Sequence, residues 1–389
     1  MKILVLNAGS SSQKCSLYEV SRGSSAAPPM PLWERKADWS EKRGGGNSHR
    51  EAVESLLEEL RSGPRRAIEG RDEIAVVGHR VVHGGSEFHK PTRITPGVIR
   101  KLLKLAELAP LHNKAAVEGI RAVEGLLGRV PQVAVFDTAF HHTLPLEAAV
   151  YPGPYKWFEN GIRRYGFHGI NHEYCAERAA QLLRRKASKV RLITCHLGNG
   201  CSLAAIRGGR SVDTTMGFTP LDGLMMGTRP GSLDPGILTY LIRTRGYAAD
   251  ELDEILNHES GLLGISGLSN DMRALLTAKR RGNKRAKLAF DIFVHRLRAG
   301  IGSMLAALRD MDALIFTAGI GENSVEVRAA ACEAFGYLGL KLDERKNRRA
   351  RPDQNIAGAS SKVPVLVIRA QEDWAIARAC WRFGKGGSR

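Results

Sequence analysis

The strongest constraint on what this chain can fold into is a pattern that occurs twice. Residues 1–20 read as strand, turn, strand: an apolar run at 3–6, the turn Asn7-Ala8-Gly9-Ser10-Ser11-Ser12, and a second run from Cys15 to Val20. Nearly two hundred residues later an apolar run at 192–195 meets Gly198-Asn199-Gly200, a second run follows at 202–206, and Gly208-Gly209 turns the chain into Ser211-Val212-Asp213. Apolar runs this short, split by Gly-containing turns, predict a β-meander. Glycine lets backbone amides approach an anion closely, and successive amides form concave nests for phosphate oxygens. NAGSS set against GNGCS therefore predicts a duplicated domain with a phosphate-facing turn in each copy. Lys14 adds an ammonium beside the first turn. Small turn residues alone would also allow plain hairpins.

At 389 residues the chain is long enough for two full cores. Apolar periodicity predicts helices at 51–61, 98–109, 115–127, 249–257, 286–308, 325–335 and 372–381, with strands at 74–77, 133–136, 312–316 and 363–368. Pro110-Leu111-His112-Asn113 reads as a break between two helices. Residues 21–31 and 41–48 read as loops and the last six residues as a loose tail. The strand at 133–136 delivers Asp137 at its end, and Arg80 precedes a Gly84-Gly85 turn. Arg229 sits in Gly227-Thr228-Arg229-Pro230-Gly231, a loop expected to be mobile, where a forked guanidinium suits a phosphate or carboxylate. The strand at 312–316 runs through Gly319-Ile320-Gly321 into a helix, which places amides at a helix N-terminus where anions bind.

Several classes of function are disfavoured. Six scattered cysteines without a CxxC pair form neither a disulfide framework nor a zinc cluster, and they suit a reducing cytoplasm. No run approaches a membrane span, and the N-terminal apolar run is too short for a secretory signal. The net charge of +18 gathers at 184–186, 279–287 and 345–351. Those clusters lack interleaved aromatics, so they read as solvated helix faces rather than a nucleic-acid surface. His79 and His83 lie on a β-branched run, and His168 and His172 lack an HExxH glutamate, so zinc is disfavoured at both pairs. No P-loop occurs, and Ser324 stands where a dinucleotide fingerprint would place its third glycine.

Taken together the motifs resemble the acetate kinase family from end to end. NAGSSS with Lys14, GHRVVHGG, LAPLHN, VFDTAFHHTLP, RYGFHG, HLGNG, DTTMGFTPL, MGTRPG, SNDMR and FTAGIGENS all match in the family's order. The resemblance implies the fold of the sugar kinase, heat-shock ATPase and actin superfamily: two duplicated ribonuclease H-like α/β domains around a nucleotide cleft. The domains would span 1–145, with the helix at 372–389 packing back on them, and 146–371, the second forming a homodimer, for which the helix at 286–308 offers an apolar face. The implied activity is reversible phosphorylation of acetate by MgATP, with ATP and ADP as co-substrates and Mg²⁺ or Mn²⁺ as the cofactor. Asn7 and Glu372 would position the metal. Lys14 and His196, Leu197, Gly198, Asn199 and Gly200 would contact the phosphates. Asp271, Met272 and Arg273, with Gly319, Ile320, Gly321, Glu322 and Asn323, would hold the adenosine end. Arg80 would bind the substrate carboxylate, with Val82, Leu111, Phe167 and Pro220 around its methyl group. Arg229 and His168 would steady the transferring phosphoryl group, and Asp137 would be the essential acid, ordering the metal or its water. The sequence departs from the family's pattern at Asn171, at Pro230, and at Ala370-Gln371-Glu372-Asp373, which replaces Thr-Asn/Asp-Glu-Glu. A propionate or butyrate kinase, and a non-catalytic nucleotide-binding protein of the same superfamily, remain the alternatives.

Overall fold

The computed structural model describes residues 1–8, 12–21, 28–38, 49–62, 66–106 and 110–386. Gly9, Ser10 and Ser11 of the first turn, most of the expected loops at 21–31 and 41–48, and the end of the tail lie outside the described residues, as does the side chain of Leu111. The chain divides into two compact units. One takes the described residues of Met1–His142, Gly169–Tyr174 and Gln371–Arg389; the other takes Thr143–His168 and Cys175–Ala370.

Each unit is built on a six-stranded mixed sheet, and the two sheets have the same plan. The first contains β1 (Lys2–Ala8), β2 (Ser12–Glu19), β3 (Trp33–Asp38), β4 (Ile74–Val81), β5 (Thr92–Arg93) and β6 (Gln132–Phe136), in the order β3-β2-β1-β4-β6-β5. β1 pairs antiparallel with β2 and parallel with β4, β4 parallel with β6, and β5 antiparallel with β6. The second contains β7 (Arg191–Leu197), β8 (Cys201–Arg207), β9 (Arg210–Thr214), β10 (Ala313–Thr317), β11 (Gln354–Asn355) and β12 (Val365–Val367), in the order β11-β12-β10-β7-β8-β9. Its pairings repeat those of the first strand for strand: β7 with β8 antiparallel, β7 with β10 and β10 with β12 parallel, β11 with β12 antiparallel. The duplication read from two glycine turns is thus present in the whole sheet topology.

The parallel strands are buried on both faces, and this explains their composition. Every residue of β6 and of β10 is buried. In the first unit Leu4, Leu17, Leu57, Leu60, Val77 and Val123 belong to one core cluster between the sheet and the helices His49–Ser62 and Pro110–Leu127. The last helix, Glu372–Gly386, packs on β1 and β4. A Cβ on Gly78 of β4 would come within 2.8 Å of both Cys380 and Ile376, so glycine there lets the helix lie close to the sheet.

Several expectations are revised. Pro110 does not end a helix; it opens Pro110–Leu127, and the preceding helix is Pro96–Leu105. Proline at a first helical position suits its fixed φ and missing N–H. The edge strands β3, β5 and β11, and the helices Gly169–Leu182 and Pro235–Arg245, are additions. Helix Lys284–Leu308 is present, but its apolar face is covered within its own unit: Phe290, Phe293, Val294, Leu297, Ile301 and Met304 are all buried. The uncovered apolar helix is instead Pro235–Arg245, which buries no residue and exposes Ile237, Tyr240 and Ile242 by 44%, 48% and 46%. The basic clusters lie on exposed faces, and several members pair with acids, as in Arg185–Asp312 at 2.7 Å and Lys287–Asp291 at 2.6 Å. All six cysteines are buried free thiols.

His79 of β4 is buried and its Nε2 lies 2.6 Å from Oε1 of Gln132 on β6. Burial pushes its pKa down to about 4, more than the glutamine restores. A depressed pKa in the folded state favours folding above the ordinary histidine value and loses that advantage as pH falls. Each tenfold change in proton affinity is worth about 1.4 kcal/mol, so this residue alone should lower stability by about 3 kcal/mol between pH 6.5 and 4. Denaturant titrations across that range, with His79→Gln as the comparison, should show the drop in the native chain and a flatter profile in the variant.

Candidate functional site

The carboxyl ends of the parallel strands carry the chemistry. In open α/β sheets these ends are where backbone and side chains are left to meet a ligand. In the first unit, β1, β4 and β6 deliver Asn7, Arg80 and Asp137 side by side. Arg80 donates to Oδ2 of Asp137 from Nε at 2.9 Å and from Nη2 at 2.5 Å, and from Nη1 to Oδ1 of Asn7 at 3.3 Å. The Asp137 side chain is 1% exposed and that of Arg80 13%. Burial works against the Arg80 charge, but Asp137 and Glu372 more than offset it and hold the guanidinium protonated. For Asp137 burial wins over the neighbouring arginine, and Glu372 adds repulsion, so its carboxyl is pushed up to about 6. Its second oxygen, Oδ1, is buried and has no hydrogen-bond partner among the described residues.

Two adjacent acids at the start of the last helix divide their duties. Asp373 is buried and fully engaged: Oδ1 accepts from Asn7 Nδ2 at 2.7 Å, and Oδ2 accepts from Ser16 at 2.8 Å and faces Lys14 Nζ at 3.0 Å. Glu372 is half-buried and accepts from Asn7 Nδ2 at 3.3 Å. Lys14, expected to meet phosphates, is bound here to Asp373 and to Glu34, the latter at 2.8 Å. Burial alone would lower its pKa; the two carboxylates raise it. Val82 is buried just beyond β4. Asn113, which no motif singles out for a role, brackets His83 by accepting from its N–H at 3.1 Å and donating to its carbonyl at 3.0 Å. The His79–His83 pair thus divides between two unrelated polar partners, Gln132 and Asn113.

The second unit gathers the remaining residues around the β7–β8 turn. His168 has a left-handed backbone, φ 57°, unusual for a residue with a Cβ, and stands immediately before helix Gly169–Leu182. Its ring stacks on His196 with centroids 4.0 Å apart and planes 9° from parallel, and its Nδ1 lies 2.9 Å from Ser202 Oγ. Phe167 beside it is buried. A Cβ placed on Gly200 would stand 3.3 Å from His168 Nε2 and 3.8 Å from Arg229 Nη1, so an imidazole and a guanidinium converge on one bare Cα. Arg229 donates to the Pro220 carbonyl at 3.5 Å and has no carboxylate partner among the described residues. Burial pulls its pKa below the usual value.

The Arg229 loop, expected to be mobile, is held here by several backbone hydrogen bonds. Met226 N donates to Arg229 O at 3.0 Å, Gly227 N to Asn199 O at 2.9 Å, and Ser260 N to Thr228 O at 2.9 Å. Cβ atoms on Gly227, Gly231 or Gly261 would come within 2.4 Å of neighbouring oxygens. These glycines mark close backbone approach rather than freedom.

The strand-end pairing continues at β10, where Thr317 lies beside His196 of β7. Gly198 and Ala318 are close enough that an added Cβ on the glycine would contact Ala318 at 3.7 Å, while the space over Gly319 is open. Helix Ala318–Asn323, with Gly319, Ile320, Gly321, Glu322 and Asn323, is clamped from behind by Arg328. That buried guanidinium donates to the carbonyls of Gly321 at 2.9 Å and Glu322 at 2.7 Å, and to Asn347. Nothing in the sequence around Arg328 signals this clamp. Asp271 caps helix Met272–Arg280 by accepting from Arg273 N at 2.8 Å, and it pairs with the Arg273 side chain at 2.6 Å. Asn270 reaches Asn199 at 3.4 Å, which links this segment to the glycine turn.

Removing one member of a buried ion pair leaves an uncompensated charge. Asp137→Ala should therefore cost about 3 kcal/mol of folding stability at pH 7 in a denaturant titration, because it strands Arg80. A loss near zero would mean that Glu372 takes over the arginine completely.

Comparison with known proteins adds a consistent set of likenesses. The model of the Acetokinase family matches residues 2–378. The chain is 58% identical to the acetate kinase of Gloeobacter violaceus, covering 98% of this chain and 99% of the relative. It is 56% identical to that of a Cyanothece species, covering 98% of each. Among solved structures it superposes on Porphyromonas gingivalis acetate kinase with a TM-score of 0.88 at 39% identity, over 98% of this chain and 99% of the other. A propionate kinase from Francisella tularensis gives 0.87 at 38%, over 97% and 98%.

Proposed function

Because the chain belongs to the acetokinase family, we propose that it transfers the γ-phosphoryl group of ATP directly to acetate and, in reverse, that of acetyl phosphate to ADP. The observation that carries this reading is the convergence of His168 and Arg229 on the bare Gly200, with an arginine that has no carboxylate partner among the described residues. A desolvated guanidinium of that kind is a poor structural element and a good clamp for a phosphoryl group.

Acetate is ionised at neutral pH, so its oxygen needs no general base. The barrier is repulsion between an anion and a polyanion, which preorganised positive charge lowers. Arg80 would bind the acetate carboxylate, with Val82, Phe167 and Pro220 assigned to its methyl group. Arg229 and His168 steady the phosphoryl oxygens as charge develops on them. Residues 196–200 and Lys14 line the phosphates, and Asp271–Arg273 with 319–323 hold the adenosine end. Helix Ala318–Asn323 is short, so the Arg328 clamp supports that end by fixing its carbonyls.

The oxygen donors of the first unit suit a hard cation, since Asp137 has a buried oxygen with no hydrogen-bond partner among the described residues. Asn7 and Glu372 would hold magnesium or manganese, with Asp137 ordering its water. Glu372 is chosen over Asp373 because both oxygens of Asp373 are already engaged. When bound, the ion would neutralise negative charge on the phosphates. Glu372→Ala should raise the magnesium concentration for half-maximal rate by about tenfold or more, whereas Asp373→Ala should chiefly lower the melting temperature. Equal effects of the two on magnesium dependence would remove the distinction.

The proposal extends to a homodimer through the exposed Ile237, Tyr240 and Ile242 of helix Pro235–Arg245, in the cytoplasm. A monomeric mass by light scattering at micromolar concentration would contradict the dimer. Among the described residues no helix is long and apolar enough to cross a membrane.

Acyl phosphate trapped as hydroxamate, with acetate, propionate and butyrate compared side by side, tests the substrate. Acetate should give the highest kcat/KM; a preference for a longer acid would reassign the enzyme to the propionate or butyrate class. Arg229→Ala should lower kcat by about a hundredfold to ten-thousandfold while leaving the fold intact, because it breaks no ion pair among the described residues. Arg80→Ala should raise the acetate KM, lower kcat and also destabilise the fold. Should Arg229→Ala change only KM, that arginine merely binds substrate.

A further inference from the structure

Arg164 lies four residues before His168, and the proposed reaction gives it no role. It stands where three segments meet, all in the second unit. Its Nη1 donates to three successive carbonyls, Thr214 at 3.2 Å, Thr215 at 2.8 Å and Met216 at 3.0 Å. The same nitrogen faces Asp222 Oδ2 at 3.3 Å, and the guanidinium carbon sits 5.6 Å from the centre of the Tyr151 ring. Tyr151 in turn accepts a hydrogen bond from Phe218 N at 2.8 Å.

Each tie leads to a residue of the site. The backbone just after Arg164 is pinned to the same loop, since Tyr165 N donates to Gly217 O at 3.0 Å; Phe167 and His168 follow at once. The arc from 214 to 223 carries Pro220, whose carbonyl receives Arg229 at 3.5 Å. Asp222 reaches the third segment: its Oδ1 accepts from Ser232 Oγ at 2.6 Å, three residues beyond Arg229. Gly217 is glycine because a Cβ would strike the Tyr151 hydroxyl at 2.1 Å and Asp222 Oδ2 at 2.6 Å.

We propose that Arg164, acting with Asp222, is a positioning residue that sets the spacing of Phe167 and His168, Pro220 and Arg229, and so fixes both the rate of phosphoryl transfer and the size of carboxylic acid accepted. The inference rests on the kinase reading of the same site. An ammonium could keep the ionic link to Asp222, but it lacks the rigid planar guanidinium that holds Nη1 among the three carbonyls with its carbon over the Tyr151 ring. Small displacements of positioned groups lower turnover steeply. Because residues 319–323 lie outside the network, nucleotide affinity should be spared.

The test uses full-length Arg164→Lys and Asp222→Asn, each confirmed as folded by its melting transition, in steady-state assays with acetate and propionate varied at saturating MgATP and with MgATP varied at saturating acetate. Both variants should lower kcat for acetate by about tenfold to a hundredfold, with Arg164→Lys the more severe. The ratio of kcat/KM for acetate over propionate should fall several-fold, and the KM for ATP should stay within about twofold of the native value. Should Arg164→Lys prove too unstable to assay, the Asp222→Asn selectivity ratio decides alone. An unchanged acetate-to-propionate ratio in Asp222→Asn, or equal losses toward both acids together with a raised ATP KM, would reduce the cluster to a structural support and overturn the proposal. If the native protein makes no acyl phosphate from either acid, the kinase reading itself fails, an outcome distinct from active enzyme with unaltered variants.

Discussion

Much of this structure depends on keeping an arginine charged in a place where water cannot stabilise it. Arg80 emerges from a strand whose neighbours are buried on both faces, and Asp137, delivered by the adjacent parallel strand, accepts two hydrogen bonds from it. A buried pair of this kind contributes little net stability against an apolar substitute, because desolvation offsets the attraction. Its value lies in geometry. Asn7, Glu372 and Asp373 are drawn around it, and the last helix docks where those acids can reach the ends of β1 and β4. Both oxygens of Asp373 are engaged there, whereas Oδ1 of Asp137 is buried with no hydrogen-bond partner among the described residues.

The second unit uses the same sheet plan for a different purpose. Its strand ends carry glycines rather than acids, and the glycines are there because other groups fill the space. Gly200 leaves room for His168 and Arg229 to converge, and Gly227, Gly231 and Gly261 let neighbouring segments pass within hydrogen-bonding distance of one another. Rigidity of that sort suits a reaction in which the enzyme's work is chiefly electrostatic, since donors already in place need no reorganisation as charge develops. The left-handed backbone of His168 fits this pattern: a strained residue is held by its surroundings beside the Gly200 turn.

What the sequence made legible were features with local physical causes. The paired strand–glycine–strand units foretold the duplication, and the strand leading to Asp137 foretold an acid at a strand tip. The edge strands β3, β5 and β11 were not legible, because β3 is mostly polar, β5 and β11 are only two residues long, and β5 pairs with β6, far along the chain. The choice between Glu372 and Asp373 needed the positions of Asn7, Ser16 and Lys14, none of them nearby in sequence. Glycines around Arg229 suggested mobility when their cause was crowding, and the same letters in the sequence serve both. The roles of Arg164, which opens the RYGFHG motif, and of Arg328 were not legible for a related reason. Their partners are mostly backbone carbonyls, which leave no trace in residue identity.

The central claim, direct transfer between a nucleotide and a carboxylate, is tested most directly by phosphorus NMR of the native protein with MgATP and acetate. ADP and acetyl phosphate should appear in equal amounts, and omitting acetate should stop the formation of ADP. Release of inorganic phosphate at the same rate with or without acetate would contradict the account, for it would mean that the paired and unpaired arginines serve a nucleotide hydrolase and not a carboxylate kinase.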